Sequence, residues 1–447
     1  MHNNKPILLT ALVAASLLIG CSSAPAQPAA TETPAPTATA VPTPEPTPVF
    51  SAPYFGTAYA PDAESITVTG PVSESELSEI ESALPLFPGL KTLTFTDASL
   101  PKDTAARIRT RHPALALHYP VVFLGKTCPV DTREPEIGAA FPAIGDLIDG
   151  LSVFSQPESL DLHGHPYSDE ELMQLRAAYP SVRFRYTVTM LGKEYESDTE
   201  SIDLTGTAIK KPQMEELYAK LGLFTGLKFV DMSKCGPKDE EMDALNKAFP
   251  DIKIVWMVKL RGAKTWWIRT DAKSFSTALA SNPKKQLWSR DVQPLIYCTE
   301  LEGLDLGHNE VRELDFLHYL PKLKYLILVG CGIKDITPIG ELKDLEYLEI
   351  FANDITDITP LANCTKLVDV NIANTDIADL SPLYGLKNLQ RVWASRCKFP
   401  EEQKQEIQEK LPNCTFDFLA WSPTGNGWRK HPNFFKMREF FGLGIID

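Results

Sequence analysis

The chain has 447 residues, 43% of them hydrophobic, with a formal charge of −14 and a pI near 5.2. That length and apolar content allow two or three domains with sizeable cores. The acidic balance excludes a nucleic-acid footprint, which needs clustered Lys and Arg, and no basic run interrupts it.

Residues 1–20 read as an export signal: Lys5 follows the amino terminus, and Pro6 to Ile19 is nearly all apolar. That run is too short to span a bilayer, which takes about 20 apolar residues. Leu18-Ile19-Gly20-Cys21 resembles the lipobox of bacterial lipoproteins. The resemblance implies cleavage before Cys21 and a diacylglyceryl group on its sulfur. The expected location is therefore the outer face of a bacterial membrane. Residues 21–50 are Ala, Thr and Pro with almost no large apolar side chain, a composition that cannot bury a core and favours polyproline II. At about 3.1 Å per residue such a stalk could hold a domain on the order of 80 Å from lipid.

A long rhythm fills residues 51–270. Leu93, Leu160 and Val230 each head a strand-like pair, and twenty residues later stand Pro113, Pro180 and Pro250. Helix-like runs lie between, as in Asp239 to Ala248. After each proline the chain alternates, as in Val182 to Tyr186 and Ile252 to Trp256, which predicts half-buried strands. Gly125, Gly192 and Gly262 then predict turns. These are irregular strand-helix-strand modules. Residues 271–296 have few periodic apolar positions and are expected to be a joint or cap.

A shorter rhythm takes over at residue 297. Leu301, Leu323, Leu345, Leu367 and Leu389 recur every 22 residues, each opening Leu-x-x-Leu-x-Leu-x-x-Asn-x-Ile or a variant of it. The Ile-x-Asp-Ile-x-Pro-Leu continuation at Ile355, with variants at Ile333 and Ile377, resembles the 22-residue repeat of internalins. Residues 51–270 are more loosely similar to leucine-rich repeats. The implied fold is an α/β leucine-rich repeat solenoid, curved, with parallel β-strands on its concave face. The physics agrees. Alternation along a strand sends Leu-x-Leu into the core, the Asn slot satisfies buried backbone groups in a turn, and stacked repeats bury what one repeat cannot. Pro338, Pro360 and Pro382 fit a return segment that is not a ladder strand.

The same register sends Tyr325, Ile327, Val329, Tyr347, Glu349 and Phe351 outward, flanked by Arg391 and Trp393. Contiguous apolar surface rich in Tyr, Trp and Arg marks a protein-binding face. Two occupants are open: an extracellular protein or other macromolecule, or the chain's own tail. Residues 419–447, with Trp428, Phe434, Phe435, Met437, Phe440 and Phe441, are too aromatic to stay free, and a cap over the last repeat edge is expected.

Catalytic signals are absent from the sequence. No nucleophile elbow, phosphate loop or calcium loop occurs, and His163-Gly-His165 fits a turn better than half a metal site. Cys331, Cys397 and Cys235 take Asn slots, while Cys298 and Cys364 take apolar slots, so buried free thiols are expected rather than disulfides. The reading is a monomeric, lipid-anchored recognition protein without enzymatic activity or cofactor. Its rivals are a surface hydrolase lacking familiar motifs and a structural spacer of the envelope.

Overall fold

The computed structural model describes residues 50–51, 58–138, 141–262, 265–279 and 287–443. The expected signal and Cys21 lie outside the described residues, as does all of the stalk but residue 50.

The long-rhythm modules take the expected form. β1 (Phe50–Ser51) and β2 (Ala58–Tyr59) make a small antiparallel pair. In the first module β3 (Ser65–Val68), β4 (Thr92–Phe95) and β5 (Ala116–His118) run parallel, with α1 (Glu74–Ala83) and α2 (Lys102–Arg111) as return segments. The chain then turns into the hairpin β6 (Pro120–Phe123) and β7 (Lys126–Pro129). α3 (Ile144–Leu151) leads to the parallel pair β8 (Ser159–Asp161) and β9 (Arg183–Arg185), joined by α4 (Asp169–Ala178), and to the hairpin β10 (Thr187–Met190) and β11 (Lys193–Glu196). The third module repeats the plan. It contains β12 (Ser201–Asp203), α5 (Lys211–Lys220), β13 (Phe229–Asp231), α6 (Asp239–Ala248) and β14 (Lys253–Val255), then the hairpin β15 (Met257–Arg261) and β16 (Thr265–Arg269).

Local chemistry explains these boundaries. Ser168 caps α4, accepting from the Glu171 amide while the Glu171 carboxylate accepts from the Ser168 amide at 2.8 Å, and Ser73 with Glu76 does the same for α1. The hairpin turns at Leu124-Gly125 and Leu191-Gly192 put both residues at positive φ (47° and 81°, 54° and 72°). That is the geometry of a type I′ turn, which matches strand twist and favours glycine at its second position.

The short-rhythm array is one seven-stranded parallel sheet: β17 (Ser274–Ser276), β18 (Gly303–Asp305), β19 (Tyr325–Ile327), β20 (Tyr347–Glu349), β21 (Asp369–Asn371), β22 (Arg391–Trp393) and β23 (Thr415–Asp417). Neighbouring strands pair in register at the 22-residue step, Leu304 beside Leu326 beside Leu348 beside Val370. Asn353 does what the slot requires. Its Oδ1 accepts from the Cys331 and Ile333 amides (2.9 and 3.0 Å), and its Nδ2 donates to the Leu328 and Ile350 carbonyls (2.8 Å each). Pro338 and Pro360 open 3-10 turns at Thr337–Glu341 and Thr359–Asn363, where a missing N–H costs nothing. The final coil is closed by α7 (Glu401–Lys410).

One expectation changes here. The stretch 271–296 is not only a joint, since Ser274–Ser276 is the first strand of the sheet, and Leu287 is fully buried beneath it. Its sequence hid the strand because Phe275 stands 29 residues before its partner Leu304, outside the 22-residue pattern. The modules and the array also share one hydrophobic core, continuous from Ile66 to Leu411, so they form one solenoid rather than separate cores.

Candidate functional site

The outward columns of the array lie where the register predicts, but not in the open. Tyr325, Ile327, Val329, Tyr347, Glu349, Arg391 and Trp393 are all buried and Phe351 is half-buried. Tyr325, Ile327, Val329, Tyr347 and Trp393 form a second apolar cluster with Ala420, Trp428, Phe434, Met437 and Phe441, and Phe351 packs against it. The expectation of a free partner-binding patch at Tyr325, Ile327, Val329, Tyr347, Glu349, Phe351, Arg391 and Trp393 is thereby corrected. The tail is the occupant. The expected cap over the last repeat edge is corrected too: after β23 the chain folds back over the concave side, ending in α8 (Pro432–Phe440).

The contact is built for that segment. Trp428 is fully buried, 5.2 Å from the Trp393 ring and 5.8 Å from Tyr347, with the Arg391 guanidinium 4.2 Å above its face. Its indole Nε1 donates to the Glu349 carboxylate at 2.7 Å, and Tyr347 donates its hydroxyl to the same oxygen. Arg391 is paired with Asp369 and donates to the Trp428 carbonyl at 3.0 Å, and Asn433 donates to Asp369 at 3.1 Å. Phe440 stacks on Tyr325 at 4.9 Å. Gly303, the first residue of its outward column, has no side chain because a Cβ there would stand 2.6 Å from the Phe440 ring. Burial raises the Glu349 and Asp305 carboxyls above their usual range, partly offset at Glu349 by the Tyr347 and Trp428 bonds and at Asp305 by Ser276 and the Gly307 amide. Tyr347 is pushed well up by burial and by its carboxylate neighbour. The seam keeps a cavity of about 170 Å³ lined by Asp305, Glu349, Arg429 and Arg438 among others.

The irregular modules offer the exposed counterpart. At their outward strand positions Asp161 and Asp203 are exposed and Arg185 and Asp231 half-exposed. His163 lies in a turn, its Nδ1 at 2.6 Å from Asp161 and its Nε2 at 2.7 Å from Glu196. The two carboxylates raise its pKa against the opposing effect of burial, the largest single influence on it. His165 stacks on Phe141 instead, so the two histidines do not converge. A cleft of about 420 Å³ opens beside them. A second, of about 570 Å³, opens between the Met232–Asp239 turn and the β15–β16 hairpin. Lys234, Lys238, Lys259, Arg261 and Trp267 line it, and the sequence reading passed over them. The signal was there: Trp266-Trp267 beside Lys259-x-Arg261 in an acidic chain.

Residues 321–363 match the family described as leucine rich repeats in two copies. The fold is a leucine-rich repeat solenoid. Among solved structures, the chain is similar to internalin C2 of Listeria monocytogenes at 25% identity, over 34% of this chain and 84% of that one, with a TM-score of 0.24. It is similar to a second Listeria monocytogenes internalin, InlF, at 13% identity over 82% and 91%, with a TM-score of 0.29. A leucine-rich repeat protein of Leptospira interrogans aligns at 15% identity over 74% and 91%, with a TM-score of 0.27. No curated protein matches the chain.

Proposed function

We propose that this chain is a recognition protein held at the outer face of a bacterial membrane by lipid on Cys21, and that it meets an extracellular macromolecule on its irregular modules. One observation carries the choice of surface. The concave face of the array is filled by the chain's own tail, whereas the outward module positions and the clefts beside them stay open. A rigid solenoid with an open polar wall suits binding without chemistry, since recognition needs fixed geometry more than mobile groups.

Hydrogen exchange on the full chain in the presence of an extracellular extract tests the surface. A bound macromolecule should slow exchange in the turns Asp161–Tyr167 and Met232–Asp239 and leave residues 428–441 unchanged. Slowing confined to residues 421–443, or none anywhere, refutes the reading. The anchor has its own test: Cys21→Ser should release the protein from the membrane fraction, and a variant that still pellets with membranes contradicts it.

A further inference from the structure

The larger of those two module clefts has a composition at odds with the rest of the chain. Among the described residues, Lys234, Lys238, Lys259 and Arg261 face two carboxylates there, Asp239 and Glu240, although the whole chain carries a net −14. Among the described residues none of the four cations makes an ion pair; Arg261 acts on Asp239 only through space, and the Lys259 ammonium lies 5.1 Å over the Trp267 ring. Trp267 is 51% exposed, a large cost for a side chain that could have packed inward from a hairpin. The floor is rigid. Trp256 is buried and donates its Nε1 to Asp239 at 3.1 Å, tying the start of α6 to the cleft.

The pieces specify a ligand class. A half-exposed indole gives a flat apolar face for the C–H side of a sugar ring, and the unpaired cations call for an anion. The carboxylates of Asp239 and Glu240 accept hydroxyl protons but repel a densely charged polyanion. A ligand with hydroxyls and about one negative charge per ring satisfies all three demands, and a volume of about 570 Å³ lies in the ordinary range of small-molecule sites. We propose that this cleft binds an acidic saccharide of the uronic-acid type, its ring on Trp267 and its carboxylate held by Lys259 and Arg261. The proposal rests on the recognition reading and names the chemistry of what is recognised.

The test is a titration of the full chain with trigalacturonic acid, with neutral maltotriose and with inorganic phosphate, followed by tryptophan fluorescence and calorimetry. The acidic trisaccharide should bind saturably, and the other two at least about tenfold more weakly. Trp267→Ala and Arg261→Gln should each weaken binding by roughly tenfold, the loss of one stacking or one charge-assisted contact. Trp267→Tyr, which keeps a ring, should retain most of it, so a folding defect is distinguishable from a lost contact. Trp421→Ala, at a distant exposed ring, should change nothing. Phosphate or maltotriose binding as tightly as the acid, no saturable binding by any probe, or indifference to both Trp267→Ala and Arg261→Gln overturns the proposal. Its failure leaves the exchange test intact, because a macromolecule of other chemistry would still protect the same turns.

Discussion

Trp428→Ala removes the ring that joins the tail to the array, and its cost can be worked from the contacts. The side chain is fully buried between Trp393, Tyr347 and Arg391. Truncating a buried Trp leaves a cavity worth about 3–5 kcal/mol. The Glu349 carboxylate also loses its indole donor while staying enclosed, which adds about 1–3 kcal/mol for an unpaired buried group. Trp428→Phe separates the two effects, since it restores most of the ring but not the N–H. Denaturant unfolding of the full chain, read by tyrosine and tryptophan fluorescence, should show Trp428→Ala losing roughly 4 kcal/mol or more and Trp428→Phe losing less than half of that. A loss under about 1 kcal/mol for Trp428→Ala would mean an ordinary surface substitution and would refute the packed tail.

Asn353→Ala strands the Cys331 and Ile333 amides and the Leu328 carbonyl in a buried turn, and should cost about 2–4 kcal/mol by the same unfolding assay; a neutral effect would show that the turn repairs itself. Glu349 is enclosed and burial raises its pKa above the ordinary glutamate range, so the folded state holds the proton more tightly than the unfolded chain. Its contribution is therefore most favourable below about pH 4.5 and is lost as pH rises through the elevated folded value. Glu349→Gln should raise stability at neutral pH relative to wild type and flatten this part of the pH profile, and a variant with an unchanged profile contradicts the burial. Burial pushes the Cys298 and Cys331 thiols up to about 12, so both should resist maleimide at neutral pH until the chain unfolds, as judged by mass spectrometry. Rapid native labelling at Cys331 would refute its place in the core.

The array was legible because its rules are local and repeated. A 22-residue spacing fixes register, and register fixes which face each side chain takes, down to the turn role of the Asn slot and the non-strand return segments at Pro338 and Pro360. The modules were legible as strand, helix and strand because their apolar periods switch at each proline, as at Asp239–Ala248. What the spacing does not encode is what lies on the outward face. That depends on contacts between residues far apart in sequence, Trp428 with Glu349 across 79 positions, and no repeat links the two. The structure itself carries two marks of that cover: the ion pair of Asp369 and Arg391, which share an outward column, is almost wholly buried, and Gly303 leaves a gap for a ring. The Trp267 cleft escaped for a related reason, since a turn and a hairpin from different parts of the chain assemble it.

The division of the surface, a closed array and open modules, is most directly tested by hydroxyl-radical footprinting of the full chain. Trp421 is 85% exposed, while Tyr347 and Trp393 are 2% and 4% exposed. Trp421 should therefore oxidise rapidly while Tyr347, Trp393 and Trp428 stay protected, and removal of residues 421–447 should open Tyr347 and Trp393 to attack. Oxidation of Tyr347 and Trp393 in the intact chain at rates near that of Trp421 would contradict the account.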